Sequence, residues 1–252
     1  MVFHTLTRVP QNFKEGVDWL IALKGTDPKS TMRDLGVAIH RLLAFYPVGP
    51  TMLPTLEPIK RISQEFLEQP ELKEQPFVKI LLERFNKPLS RTPGKPIEHF
   101  THSTEADYQN VVQTKGVTSR DVVSNVTQFV YGFEKFLETI KNPDSYNSAY
   151  SSKATWDRSC AENPKGCAVI LVGIAPMLYA GVRSLLNASK GACELPAPNA
   201  EERLGEVLRA LGYAEPECRT EVGVLNVHIA LDDFNNHLLT VLYDLAGYWA
   251  FY

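Results

Sequence analysis

The chain has 252 residues, 44% of them hydrophobic and 22% charged, which is enough apolar material for a sizeable core and too much for a disordered chain. Lys+Arg number 26 against 29 Asp+Glu, a net charge of −3, so there is no basic excess to neutralise phosphates and no nucleic-acid partner is expected. The 17 prolines fall between periodic segments, which predicts helices with frequent breaks.

The opening segment Met1 to Pro10 lacks a basic stretch followed by an apolar one, so no cleaved secretory signal is expected and the location stays open. Asn12 and Glu15 have capping-box spacing, and Phe13, Val17, Leu20 and Ile21 then share one helical face before Gly25. Ser30 or Thr31 is expected to cap a second helix with the stripe Leu35, Ile39, Leu42, Leu43, and Thr55 a third with Ile59, Ile62 and Phe66, closed by Pro70. Phe77, Ile80, Leu81 and Phe85 predict a short fourth helix, and the segment from Lys87 to Pro96 reads as a proline-rich exposed loop. Ser103 is expected to cap a helix carrying Tyr108, Val111 and Val112. Thr118 with Asp121 opens the clearest helix of all, with Val122, Val126, Phe129, Phe133, Leu137 and Ile140 at helical spacing.

A polar linker from Asp144 to Ser159 follows, carrying Tyr146, Tyr150 and Trp156. Asn163 and Pro164 then open an apolar segment, Cys167 to Leu186, that is hydrophobic on nearly every face. Its uncharged run, between Lys165 and Arg183, is shorter than the roughly 20 residues of a spanning helix, so it reads as a buried core helix and no transmembrane span is expected. Asn199 and Glu202 repeat the box spacing before Leu204, Val207, Leu208 and Leu211. Asp232 or Asp233 is expected to cap a last helix with Leu238, Leu242, Leu245 and Trp249 on one side. With no sustained period-two alternation, the fold class is all-α: an irregular bundle of roughly eight or nine helices around a central apolar helix near residues 164–190. One domain over 1–252 is the first reading. The alternative is an amino-terminal bundle, 1–143, and a cysteine-bearing carboxy-terminal bundle, 160–252, joined by the linker 144–159.

No phosphate loop, dinucleotide fingerprint, zincin motif or nucleophile elbow is present, so no catalytic, cofactor-binding or metal site is assigned and the chain is expected not to be an enzyme. The weaker alternative, a small hydrolase or metalloenzyme, rests on His99 and His102 with Glu98 or Glu105, or on His228 and His237 flanking Asp232 and Asp233. For the aspartates, helix capping is the simpler role. Cys160, Cys167, Cys193 and Cys218 contain no C-x-x-C pair, which argues against a zinc ribbon. They are candidate disulfide residues with Cys160 to Cys167 the most local closure, or else buried thiols. Two sequons, at Asn125 and Asn187, fall in predicted helices and read as chance matches. The aromatic end is expected to dock on the chain's own core, with Trp249, Phe251 and Tyr252 as the alternative contact for a protein partner.

The segment Leu6-Thr7-Arg8-Val9-Pro10-Gln11-Asn12-Phe13-Lys14-Glu15-Gly16-Val17-Asp18-Trp19 resembles the L-T-x-x-P-x-N-L-K-E-x-I-D-W opening of variant erythrocyte surface antigens of Babesia-type piroplasm parasites, with Phe13 in place of Leu and Val17 in place of Ile. The segments 149–157 and 243–252 look like those of shorter piroplasm relatives. The resemblance implies a role on or near the infected red cell, in adhesion or immune evasion, through a protein partner and with no catalytic residue to carry over. The chain is shorter than the large antigens and shows neither their carboxy-terminal anchor nor their long cysteine-rich body, so an internal helical scaffold or adaptor is the alternative.

Overall fold

A computed structural model describes residues 2–49, 51–86, 109–194, 199–214, 216–219 and 222–252, with the backbone alone at 191–194. The described helices are α1 (Phe13–Lys24), α2 (Pro28–Phe45), α3 (Glu57–Leu67), α4 (Pro70–Lys73), α5 (Pro76–Asn86), α6 (Val111–Thr114), α7 (Ser119–Ile140), α8 (Trp156–Ser159), α9 (Pro164–Glu194), α10 (Ala200–Ala210), α11 (Val224–Ala230), α12 (Asn236–Asp244) and α13 (Tyr248–Phe251). Four of these, α4, α6, α8 and α13, are single turns. Among the described residues no strand forms, and the protein is an all-α bundle around one apolar helix, α9. The loop expected at Lys87 to Pro96, the pair His99/His102 with Glu98 and Glu105, and the Ser103 cap all lie outside the described residues.

Helix starts follow local chemistry, not always at the expected residue. Asn12 Oδ1 accepts the Glu15 amide at 2.9 Å and Glu15 reaches back to the Gln11 amide at 2.8 Å. Thr118 and Asp121 form a full capping box at the start of α7. At α2 the cap is Asp27, which accepts from the Ser30 amide, and not Ser30 or Thr31. Pro28 explains the earlier start, because it has no amide to satisfy and its φ is already helical. Helix α3 starts at Glu57 without a side-chain cap, so Thr55 does not cap it; a backbone turn from Leu53 to Glu57 leads in. Pro70 does not merely stop α3: it opens the turn α4.

Two further caps are corrected. Asn199 lies in the left-handed region at φ 73° and caps nothing, so the box with Glu202 is not made; a capping side chain works from extended backbone. Helix α12 is capped by Asn235, which accepts the Leu238 amide at 2.9 Å, and not by Asp232 or Asp233. Asp233 instead pairs with Lys135 of α7 at 2.9 Å.

The centre of the molecule is α9. Asn163 Oδ1 accepts the Gly166 amide at 3.2 Å, Pro164 opens the helix, and it continues through Pro176 to Glu194. It packs against α1, α2, α3, α5, α10, α11 and α12. The crossing with α1 is close: a Cβ on Gly181 would lie 2.1 Å from the Phe13 ring. By length and composition alone, Pro164–Lys190 is long and apolar enough to cross a membrane. Packing accounts for that hydrophobicity, since 89% of its apolar window is buried inside the fold.

The segment between α7 and α9 is stitched on both sides. Phe3 and Tyr150 form a parallel bridge, with the Phe3 amide donating to Ala149 O at 2.7 Å. Lys141 and Cys218 form an antiparallel one, with the Asn142 amide donating to Glu217 O at 2.7 Å.

The aromatic end is not a single helix with Trp249 in the α12 stripe. Gly247, at φ 65°, turns the chain out of α12 into α13. Trp249, Phe251 and Tyr252 are buried in their own chain, with Trp249 fully so, which overturns their reading as an exposed partner contact. Gly49 and Thr51 amides donate to Trp249 O and Ala250 O, Tyr46 meets Phe251 edge-on at 5.2 Å, and Phe85 meets Tyr252 at 4.9 Å. These partners belong to the α2–α3 connection and to α5.

Candidate functional site

The polar residues of the opening motif are committed to the fold. Asp18, 2% exposed on the inner side of α1, accepts from the Tyr146 hydroxyl and from the Ala149 amide at 2.9 Å. Lys14, one turn earlier, stands 3.6 Å from Asp18 and 3.5 Å from Glu217, and donates to Asn147 O at 2.8 Å. Its ammonium also lies 4.7 Å from the Tyr146 ring centre. Burial pushes the Asp18 carboxyl above the ordinary carboxylate value, against the pull of Tyr146, the Ala149 amide and Lys14. Burial, reinforced by the Asp18 charge, pushes the Tyr146 hydroxyl far up as well. Trp19 donates its indole N–H to Leu6 O at 2.8 Å, closing the amino-terminal segment onto α1. This cluster pins α1, the 146–149 segment and Glu217 together.

Cys160 and Cys167 are joined in a disulfide that is almost wholly buried and ties α8 to the first turn of α9. Cys160 is therefore not a nucleophile in this structure. Cys218 is half-buried beside Lys141, and the side chain of Cys193 lies outside the described residues. The histidine and aspartate constellation does not assemble: neither His228 nor His237 bonds to Asp232 or Asp233 among the described residues. His228 Nδ1 sits 3.4 Å from Ser189 Oγ, whose hydroxyl also meets Leu186 O at 3.1 Å. His237 lines a cleft of about 550 Å³ between α2, α6, α7 and α12. The acids of that cleft are already engaged. Asp121 is held below the usual carboxylate range by the Thr118 hydroxyl and amide, and Asp244 faces Lys115 at 3.9 Å. Among the described residues, no three His, Cys, Asp or Glu side chains converge as a metal site requires. Asn125 and Asn187 both sit within helices, on α7 and α9.

A second cleft, of about 650 Å³, lies between α5, α9 and α12 and has a different composition. Its floor is Phe77, Ile80 and Leu81 from α5 with Leu239 and Tyr243 from α12; Asn187, Asn236 and Thr240 add neutral polar groups. Among the described residues, the single charge in the lining is Arg183. Its guanidinium donates to the Tyr179 hydroxyl at 2.9 Å and lies over the rings of Phe77 and Tyr179, at 5.3 and 5.9 Å. Gln75 and Ser184 exchange hydrogen bonds of 3.0 and 3.2 Å, locking the start of α5 beside it. Sequence reasoning missed this residue. The available signal was that Arg183 is the one charge between Lys165 and Lys190 in the most apolar stretch of the chain.

Comparison with protein-family models, with curated proteins and with solved structures gives no match to this chain.

Proposed function

We propose that this chain is a non-enzymatic helical protein of a parasite-specific family that binds another protein at the host–parasite interface, in adhesion or immune evasion. The observation that carries this reading is the Cys160–Cys167 disulfide, 0% and 1% exposed, at the root of the central helix. Disulfides built into a core belong to proteins that mature in an oxidising compartment and are rare in a reducing cytosol. The resemblance of residues 6–19 to the opening of the erythrocyte surface antigens supplies the host-cell setting. In this fold the same residues hold α1 in place, so binding specificity belongs to surfaces other than that motif.

Thiol labelling of the protein from its native source, denatured without reduction, tests the reading. Cys160 and Cys167 are expected to stay unlabelled until a reductant is added, and immunofluorescence is expected to place the protein outside the parasite cytosol. Labelling of both cysteines together with a cytosolic signal would instead establish an internal scaffold. In vitro, Cys160→Ser should cost about 2–3 kcal/mol of stability, the loop-closure value for so short a ring, measured by urea unfolding.

A further inference from the structure

Arg183 is exposed at the rim of the α5–α9–α12 cleft, and a guanidinium stacked on aromatic faces keeps its edge donors available to a planar anion. Arg183 presents five N–H donors in a planar fork, and among the described residues its hydrogen bonding is limited to the Tyr179 hydroxyl. Among the described residues, no carboxylate lines the cleft that it borders. Phe77 and Tyr179 fix the plane of the fork, and the Gln75–Ser184 pair fixes the helix that carries Phe77. Below it lies an apolar floor, in a volume of about 650 Å³ that falls within the ordinary range for small-ligand sites. The arrangement is one cation at the rim, aromatic and aliphatic walls, and a few neutral amides.

We propose that the α5–α9–α12 cleft binds an amphipathic organic anion, with a carboxylate head on Arg183 and an apolar body against Phe77, Ile80, Leu81 and Leu239. A planar carboxylate matches the fork in the bidentate geometry that makes such pairs strong. An inorganic anion would leave the apolar floor unused, and a cation would meet Arg183 with like charge. This site stands independently of the protein-binding role proposed above.

Titration of the full chain with octanoate, followed by NMR, tests the site, with 1-octanol as the head-group control. Octanoate is expected to shift resonances of α5, α9 and α12 and to bind about tenfold or more tightly than octanol, the weight of one charge-assisted hydrogen-bonded pair. Arg183→Gln should remove that preference while leaving the melting temperature in place, and Arg183→Lys should restore only part of it. Equal binding of octanoate and octanol to the wild type, or no binding at millimolar concentration, would overturn the proposal. The wild-type comparison of the two ligands decides it even where the variant fails to fold.

Discussion

Asp18 shows how a single carboxylate can be tolerated on the inner face of a helix. It receives the Tyr146 hydroxyl and the Ala149 amide, with Lys14 alongside, so its lone pairs are met although water is excluded. Asp18→Asn keeps one acceptor but turns an amide toward a donor, and should cost about 1–3 kcal/mol, the penalty for one buried unsatisfied donor. The pH dependence has a definite sign. Because burial raises the folded-state pKa of Asp18 above its unfolded value, the group's stabilisation is fully present below the ordinary carboxylate pKa. It is lost as pH rises through the raised value. The stability gap between wild type and Asp18→Asn should therefore narrow as pH climbs from about 4 toward neutrality, where ordinary carboxylates are already ionised. Urea unfolding of both proteins across that range measures the gap, and a gap that widens with pH contradicts the assignment.

At the scale of the element, the close crossing of α1 and α9 depends on the missing side chain of Gly181. A methyl there would overlap the Phe13 ring, itself wedged edge-on against Phe133 and Phe136 of α7. Gly181→Ala should destabilise the fold by about 1–3 kcal/mol through overpacking, despite the better helix propensity of alanine. Chemical denaturation checks the sign, and a gain in stability would show that Phe13 can move aside. Stripes such as Val122, Val126, Phe129 and Phe133 were legible because helical periodicity is local and repeats over several turns. Seven-residue α11 and the single turns were not, since they repeat too few times to leave a period. The caps at Asn12, Thr118 and Asn163 were legible, whereas those of α2, α3, α10 and α12 were not, because the residue at which a helix begins is not fixed by cap chemistry alone. Where Asp232, Asp233 and Asn235 all qualify, α12 begins at Asn236 with Asn235 as its cap, and Asp233 pairs with Lys135 instead. The Arg183 cleft was illegible because Phe77, Arg183 and Leu239 meet only through the packing of α5 and α12 on α9.

For the whole molecule, the question is how segments far apart in sequence share one core. Helix α9 supplies the common wall, and the α8–α9 disulfide and the Lys14–Asp18–Tyr146 cluster fasten the linker that leads into it. The aromatic turn α13 closes the other side. Its Trp249 and Ala250 carbonyls accept amides from the α2–α3 connection, and Lys60 of α3 donates to Phe251 O while lying 4.6 Å from the Tyr252 ring centre. Tyr46, Gly49 and Thr51, Lys60 of α3 and Phe85 of α5 thus all meet the last five residues. Trp249, with no solvent exposure, is the largest side chain of α13. Trp249→Ala should cost about 3–5 kcal/mol, the range for removing a large aromatic from a packed core. At about 2–4 °C per kcal/mol for a chain of this size, the melting temperature should fall by about 6–20 °C. The loss should be global, because the turn touches elements that are themselves packed on α9. Thermal unfolding followed by circular dichroism measures it, and a transition left in place would mean that α13 is a detachable cover and not part of the core.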